Sequence, residues 1–188
     1  MSFAALRHVV FALFLGVATT AVSAGATTAY AQNGAILTVA GNVENPNRGA
    51  LEPFADALLN SLDVTFDRAH VFDRAALVDI GMKRIVTKYP GSDRTIDVEG
   101  PLLRDVLARA GAGGDTVTVT ALDGYAVDLP MSDLTRWPVI LALKSGGEWL
   151  DIGGRGPSWI VYPRDDDPEL AGRDDANWVW SVFYIRVQ

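Results

Sequence analysis

The chain has 188 residues, no cysteine, two histidines and a net charge of −7. Without cysteine there is no disulfide, no thiolate nucleophile and no thiolate metal ligand, and an acidic balance argues against a nucleic-acid partner, whose phosphates need a basic face. Beyond the first thirty residues the only histidine is His70. That excludes a His-based zinc site or a Cys–His pair, and no G-x-S-x-G elbow supplies a serine for a triad using His70.

Arg7 and His8 precede an apolar run over Val9–Val17, followed by small residues up to Ala31. This is the pattern of a secretory signal peptide over 1–31. Ala29-Tyr30-Ala31 fits the A-x-A cleavage pattern before Gln32, with Val22-Ser23-Ala24 as the alternative; an uncleaved N-terminal anchor is the other reading. Residues 32–188 then form one exported domain, long enough to hold itself together without disulfides.

Ala35–Gly41 predicts an opening strand and Asn42–Arg48 a turn. Leu51, Phe54, Leu58 and Leu62 stand at helical spacing, so Glu52–Leu62 predicts an amphipathic helix. Val64–Phe66, Ala76–Asp79 and Met82–Lys88 read as strands, and Pro90-Gly91-Ser92-Asp93 as a turn. Pro101–Ala110 is the clearest helix: Pro101 suits the first turn, Leu102, Leu103, Val106, Leu107 and Ala110 form the apolar stripe, and Gly111 stops it. Thr116–Thr120 and Ala126–Leu129 flank an Asp123-Gly124 turn, a hairpin signal. Ser132 is placed to cap a short helical turn ending near Trp137.

From Pro138 to Pro163 the chain reads as a strand, a Ser145-Gly146-Gly147 turn, a short return, a glycine-rich loop and a second strand. In the loop, Gly153-Gly154-Arg155-Gly156-Pro157, glycines allow close backbone approach to a ligand and Arg155 adds a forked cation; a tight connection with an exposed Arg is the plainer reading. Trp178–Val187 predicts a final strand. Its alternation puts Val179, Ser181, Phe183, Ile185 and Val187 on one face and Trp178, Trp180, Val182, Tyr184 and Arg186 on the other. The whole is an α+β domain, strand-rich with two main helices.

Two constellations carry possible chemistry. The acidic run Asp165-Asp166-Asp167-x-Glu169 lacks the alternating spacing of a calcium loop, and is either a solvated loop or a source of one specific carboxylate. A carboxylate accepts two parallel hydrogen bonds from a ring that presents an amide N–H beside an exocyclic amine, as a pterin does. Arg155 and Arg164 would add cations for a ring oxygen or a phosphate. Trp159, Tyr162, Trp178 and Trp180 crowd the same C-terminal region; such rings either complete the core or stack on a flat heterocycle.

Several segments together resemble the molybdopterin-binding domain of the sulfite oxidase type. Gly100-Pro101-Leu102-Leu103-Arg104-Asp105-Val106-Leu107 is similar to its G-v-x-L-x-x-L-L helix entry. Asp123-Gly124-Tyr125-Ala126-Val127-Asp128-Leu129-Pro130 resembles its D-G-Y-x-x-x-L-P segment. The Pro138–Ala142 strand, the Gly146-Gly147-Glu148 turn and Gly156-Pro157 through Pro163 resemble a third stretch. The family's enzymes bind molybdenum through a cysteine on a strand before the helix, and the comparable segment here, Arg84–Pro90, has none. The resemblance therefore implies the sulfite oxidase-type fold and a pterin ligand, and argues against molybdenum and redox activity.

Small exported cysteine-less chains of this resemblance include periplasmic pterin-binding proteins that report occupancy to the periplasmic domain of an inner-membrane cyclic-di-GMP enzyme. What it implies here is a non-catalytic periplasmic pterin-binding protein. Trp178 or Trp180 would stack on the ring, with Trp159 and Tyr162 nearby. Asp165 or Asp166 would read the amino edge, and Arg155 or Arg164 would hold an oxygen-rich edge. The alternatives are a molybdopterin-dependent oxidoreductase or a subunit of one, and an interaction module whose pocket is filled by side chains.

Overall fold

The structure, a computed structural model, describes residues 34–173 and 175–188; the predicted signal peptide lies outside them. In chain order the strands are β1 Leu37–Gly41, β2 Ala69–Phe72, β3 Lys83–Lys88, β4 Thr95–Gly100, β5 Thr116–Ala121, β6 Ala126–Pro130, β7 Ile140–Ala142, β8 Lys144–Ser145, β9 Glu148–Trp149, β10 Trp159–Val161 and β11 Val182–Val187. The helices are α1 Ala57–Ser61, α2 Arg74–Ile80, α3 Leu103–Ala110, α4 Met131–Arg136 and α5 Pro168–Ala171, with a 3-10 turn at Arg164–Asp166. This is the expected α+β composition.

One sheet has the order β2-β1-β11-β5-β6, with β1 and β11 parallel and its other pairs antiparallel. A second joins β3-β4-β8-β9, and β10 pairs with β7 alone. α3 turns one face into the core: Leu103, Val106, Leu107 and Ala110 are all buried at i, i+3, i+4 and i+7 spacing. Gly111 ends the helix in the left-handed region, φ 67°, where its N–H and that of Ala112 return to the last carbonyls.

Four expectations are corrected. Glu52–Leu62 does not form one helix: only Ala57–Ser61 is helical, Leu59 faces the core, and Phe54 is 92% exposed. Before it, the Asp56 carboxylate accepts the Glu52 N–H and grips Arg48, while Glu52 accepts the Ala55 N–H. Such side-chain-to-backbone bonds compete with a helix. Ala76–Asp79 is not a strand but lies in α2, whose first turn is capped by Asp73 accepting from the Ala76 N–H at 2.8 Å. Val64–Phe66 forms no strand; β2, three residues further on, pairs with β1 instead. Ser132 caps nothing: α4 starts after Pro130, and its Met131 N–H is satisfied by the Asp115 carbonyl. Hence the two expected main helices reduce to α3 and four shorter ones. β4 is an element the sequence reading lacks; it continues the Pro90–Asp93 turn into a hairpin with β3, register Lys88↔Thr95 to Lys83↔Gly100.

The final strand also departs from simple alternation. Ser181 has φ 56°, and the register with β5 shifts between Val182 and Tyr184. The strand itself begins only at Val182, so alternation does not govern the residues before it: Trp178 is buried while Trp180 is 46% exposed.

Close contact between the sheets sets a sharp limit at Gly100. A Cβ there would lie 1.9 Å from the Leu141 carbonyl oxygen, which is backbone and cannot swing aside. Gly100→Ala is expected to cost at least about 1–3 kcal/mol in urea unfolding, the usual cost of overpacking. A midpoint unchanged from the parent would show that β4 and β7 are not held this closely.

Candidate ligand-binding site

Three irregular segments meet beside the sheets: the β3–β4 turn at 89–94, the glycine-rich loop ahead of β10, and the chain leading into β11. The turn closes because Tyr89 N–H donates to Arg94 O and Ser92 N–H to Tyr89 O, while Ser92 Oγ accepts the Arg94 N–H. In the loop, the N–H groups of Gly154 and Gly156 both reach the Asp151 carbonyl. Gly156 is obligatory, since a Cβ would sit 2.5 Å from the Leu150 carbonyl oxygen. The loop is tied to the C-terminal segment by Ser181 N–H donating to Arg155 O at 2.9 Å.

Three rings form one knot there: Tyr89 from the turn, Trp159 from the start of β10 just after the loop, and Trp178 from the chain leading into β11. The centroids of Tyr89, Trp159 and Trp178 stand 5.8–6.2 Å apart, in the range where edge-to-face and tilted pairs attract. Trp159 is fully buried, and its indole N–H donates to the Trp178 carbonyl at 3.1 Å. The Arg155 guanidinium lies 4.4 Å from the Trp159 ring centre and 4.8 Å from that of Tyr89, a double cation–π contact.

Cavities open around this knot and divide the sequence-predicted residues. A 240 Å³ cavity brings Trp178 and Trp180 together with Tyr89, Tyr125, Asp123 and Asp175. A second, of 460 Å³, holds Arg155 and Trp159. Tyr162 shares a 420 Å³ cavity with Trp178, Arg173 and Asn177. Arg164 and Asp165 line a 400 Å³ cavity with Lys88. Asp166 is exposed on the 3-10 turn.

The acidic run is engaged with the protein itself. Asp165 accepts the Lys88 N–H at 2.9 Å and donates its own N–H to the buried Thr87 hydroxyl. These bonds fasten the 3-10 turn to the end of β3. Asp167 caps α5 through the Glu169 N–H and accepts from the Trp137 indole at 2.9 Å. The Trp137 hydrogen bond, first among several causes, holds its carboxyl below the usual range. Glu169 pairs with Arg136 and Arg173, and Arg164 donates to the Ala171 carbonyl. Among the described residues no three His, Asp or Glu side chains gather as metal ligands. His70 is spoken for on β2, donating to the Asn45 carbonyl and packing on Phe72; its pKa is lowered, chiefly by burial.

Residues absent from the expected site complete the 240 Å³ cavity. Tyr89 OH donates to Asp175 Oδ2 at 3.1 Å, Tyr125 OH to the Ala176 carbonyl at 3.1 Å, and the Tyr125 N–H to Asp123 Oδ1 at 3.0 Å. Asp123 and Tyr125 stand out in sequence as turn residues and as part of the D-G-Y-x-x-x-L-P resemblance, not as ligand contacts. Apart from their local bond to each other, the Tyr125 hydroxyl bond and the cavity partners Asp175, Trp178 and Trp180 lie about fifty residues on in the chain. An ionised carboxylate has roughly four acceptor positions, so Asp123 and Asp175 keep capacity for a ligand. The cavity has aromatic walls and an acceptor edge. No protein-family model matches the chain, and no curated protein matches it significantly.

Tyr162 is 2% exposed, and its hydroxyl makes no hydrogen bond among the described residues. The Asn177 amide, close enough to favour the ionised hydroxyl, does not meet it in hydrogen-bonding geometry. Burial foremost, then the charge of Asp133, raises the Tyr162 pKa above its ordinary 10.0. The raised folded-state pKa makes its stability contribution complete below pH 10 and lost as pH climbs above it, because the unfolded chain releases the proton first. Tyr162→Phe is expected to flatten the alkaline limb of a stability-versus-pH curve. An alkaline limb identical to the parent's would place the sensitivity elsewhere.

Proposed function

We propose that this is a non-catalytic pterin-binding protein of sulfite oxidase-type fold, acting in the periplasm. The single observation that carries the reading is the 240 Å³ cavity in which Tyr89, Tyr125, Trp178 and Trp180 accompany the carboxylates of Asp123 and Asp175. Its volume falls just below the usual range of ligand pockets, ~300–1,000 Å³, and suits a bicyclic ring better than a dinucleotide. Aromatic side chains supply a stacking surface for a flat heterocycle. A carboxylate facing an amide N–H beside an exocyclic amine satisfies both at once. Asp175 is the better placed of the two: the Tyr89 hydroxyl donates to Oδ2 and orients the group, and each carboxylate oxygen keeps a lone pair for the ligand's two donors.

The amino-edge role expected of Asp165 or Asp166 passes in this reading to Asp175 and Asp123, since Asp165 is bonded to Lys88 in a different cavity. Trp180 keeps the stacking role, with its exposed ring at the mouth. Signalling to the periplasmic domain of an inner-membrane cyclic-di-GMP enzyme is the biological role proposed for occupancy. Trp180 and Tyr125, both half-exposed at the cavity, are where a partner would sense the ligand.

Titration calorimetry with tetrahydropterin tests the site. Asp175→Ala and Trp180→Ala are each expected to weaken binding more than about tenfold, through a stranded ligand donor pair and a lost stacking surface. Asp166→Ala should leave affinity unchanged. Equal loss from Asp166→Ala, with no effect from Asp175→Ala, would move the recognition edge back to the acidic turn.

A further inference from the structure

On the far side of the aromatic knot the 460 Å³ cavity has a different chemical character. Arg94 enters from the β3–β4 turn and Arg155 from the glycine-rich loop, accompanied by Ser92 and Ser145. No aspartate or glutamate is among its described lining residues. In a chain of net charge −7, two arginines without a facing carboxylate are an uncompensated concentration of positive charge. Five arginines are paired with carboxylates: Arg48 with Asp56, Arg84 with Asp97, Arg104 with Asp105, Arg136 with Glu169 and Arg173 with Asp133. Among the described residues neither Arg94 nor Arg155 has an ion-pair partner.

Arg155 is also held in place. The faces of Tyr89 and Trp159 fix its guanidinium, and its carbonyl accepts the Ser181 N–H, so little side-chain freedom is left to lose when an anion arrives. A rigid planar fork is the group that reads carboxylate and phosphate oxygens two at a time. Arg94 is exposed, but its backbone is anchored on both sides of the turn, its N–H to Ser92 Oγ and its carbonyl to the Tyr89 N–H. The serine hydroxyls add neutral donors to a site whose cations already favour oxygen-rich ligands.

We propose that this cavity is an oxyanion-binding site, built by Arg94 and Arg155 for a phosphate or carboxylate group. Tyr89 lines both this cavity and the aromatic, carboxylate-bearing one, so the two sites share a wall. The anion is therefore either a free oxyanion or the tail of a heterocycle whose ring occupies the neighbouring cavity. The site stands on its own residues; only the second source rests on the pterin reading.

The test uses the protein over residues 32–188, labelled with nitrogen-15, and follows the arginine Nε–H resonances as inorganic phosphate is added. Both Arg94 and Arg155 signals should shift along one binding curve. Arg94→Gln and Arg155→Gln should each weaken phosphate at least about tenfold, the loss of a charge-assisted pair. Arg155→Gln disturbs the aromatic knot as well, so the exposed Arg94 is the deciding variant. Phosphate affinity that survives Arg94→Gln, or no shift at millimolar phosphate, overturns the site.

Competition by unsubstituted pterin and pterin-6-carboxylate then separates the sources. Displacement of phosphate by the carboxylated compound alone assigns the cavity to a ligand tail. Simultaneous, non-competing binding assigns it to a free oxyanion. If phosphate binds and neither pterin does, the oxyanion site stands and the pterin reading falls.

Discussion

The hydrogen bond from the buried Trp159 indole to the Trp178 carbonyl is the constraint on which the functional region depends. β10 pairs with β7, deep in the core, so Trp159 is fixed by the body of the protein. Among its described residues the chain before β11 forms no strand, and its path is set by bonds to β10 and the loop, Ile160 N–H to the Val179 carbonyl among them. The indole bond, the Trp159–Trp180 bridge and the Ser181-to-Arg155 bond bind it to β10 and the glycine-rich loop. With that path set, Trp178 meets Tyr89, the turn at 89–94 is propped against the knot, and cavities open on either side. An unpaired indole N–H buried here would cost about 1–3 kcal/mol, which is why the carbonyl and the ring specify each other's position.

The two cavities that share Tyr89 have opposite electrostatic character. One presents Asp123 and Asp175, the other Arg94 and Arg155. Rings separate them, and Arg155 interacts with those rings through their π faces rather than with the acids beyond. The arrangement keeps positive and negative groups close without letting them neutralise one another as salt bridges. A single ligand spanning both would need a donor edge at one end and an anionic group at the other. Arginines elsewhere show the contrasting, structural use of the same contact. Arg136 and Arg173 cover Trp137, and Arg74 covers Trp149, with carboxylates pairing Arg136 and Arg173 at their outer ends.

How much of this was legible in the sequence depended on range. α3, the β5–β6 hairpin around Asp123-Gly124, the β8–β9 turn and the strand at Trp159 follow from local periodicity and turn chemistry, and the structure has them. Elements decided by local side-chain competition were misread. Asp56 and Glu52 divert 52–56 from a helix, and the Asp73 cap turns an apparent strand into α2. At the site, the C-terminal crowding of tryptophans was visible, but its division was not. Trp178 and Trp180 both precede β11, outside its alternation, and one is buried while the other is exposed. The acids were chosen by proximity in sequence, and within the run Asp165, Asp167 and Glu169 are occupied by Lys88, Trp137, Arg136 and Arg173 while Asp166 is exposed on the turn. The acids beside Trp180 include Asp123, whose position depends on the sheet bringing β5–β6 under the C-terminal segment.

The most direct test of the central claim is to purify the mature protein from its own host, denature it, and identify the released small molecules by mass spectrometry, with molybdenum quantified in the same sample. The account predicts a pterin in near-stoichiometric amount and no molybdenum. Molybdenum released together with molybdopterin would contradict it and make the protein a cofactor carrier or enzyme that holds its metal without a cysteine. A protein that releases no pterin and also fails to bind added tetrahydropterin would contradict the assignment of the aromatic cavity altogether.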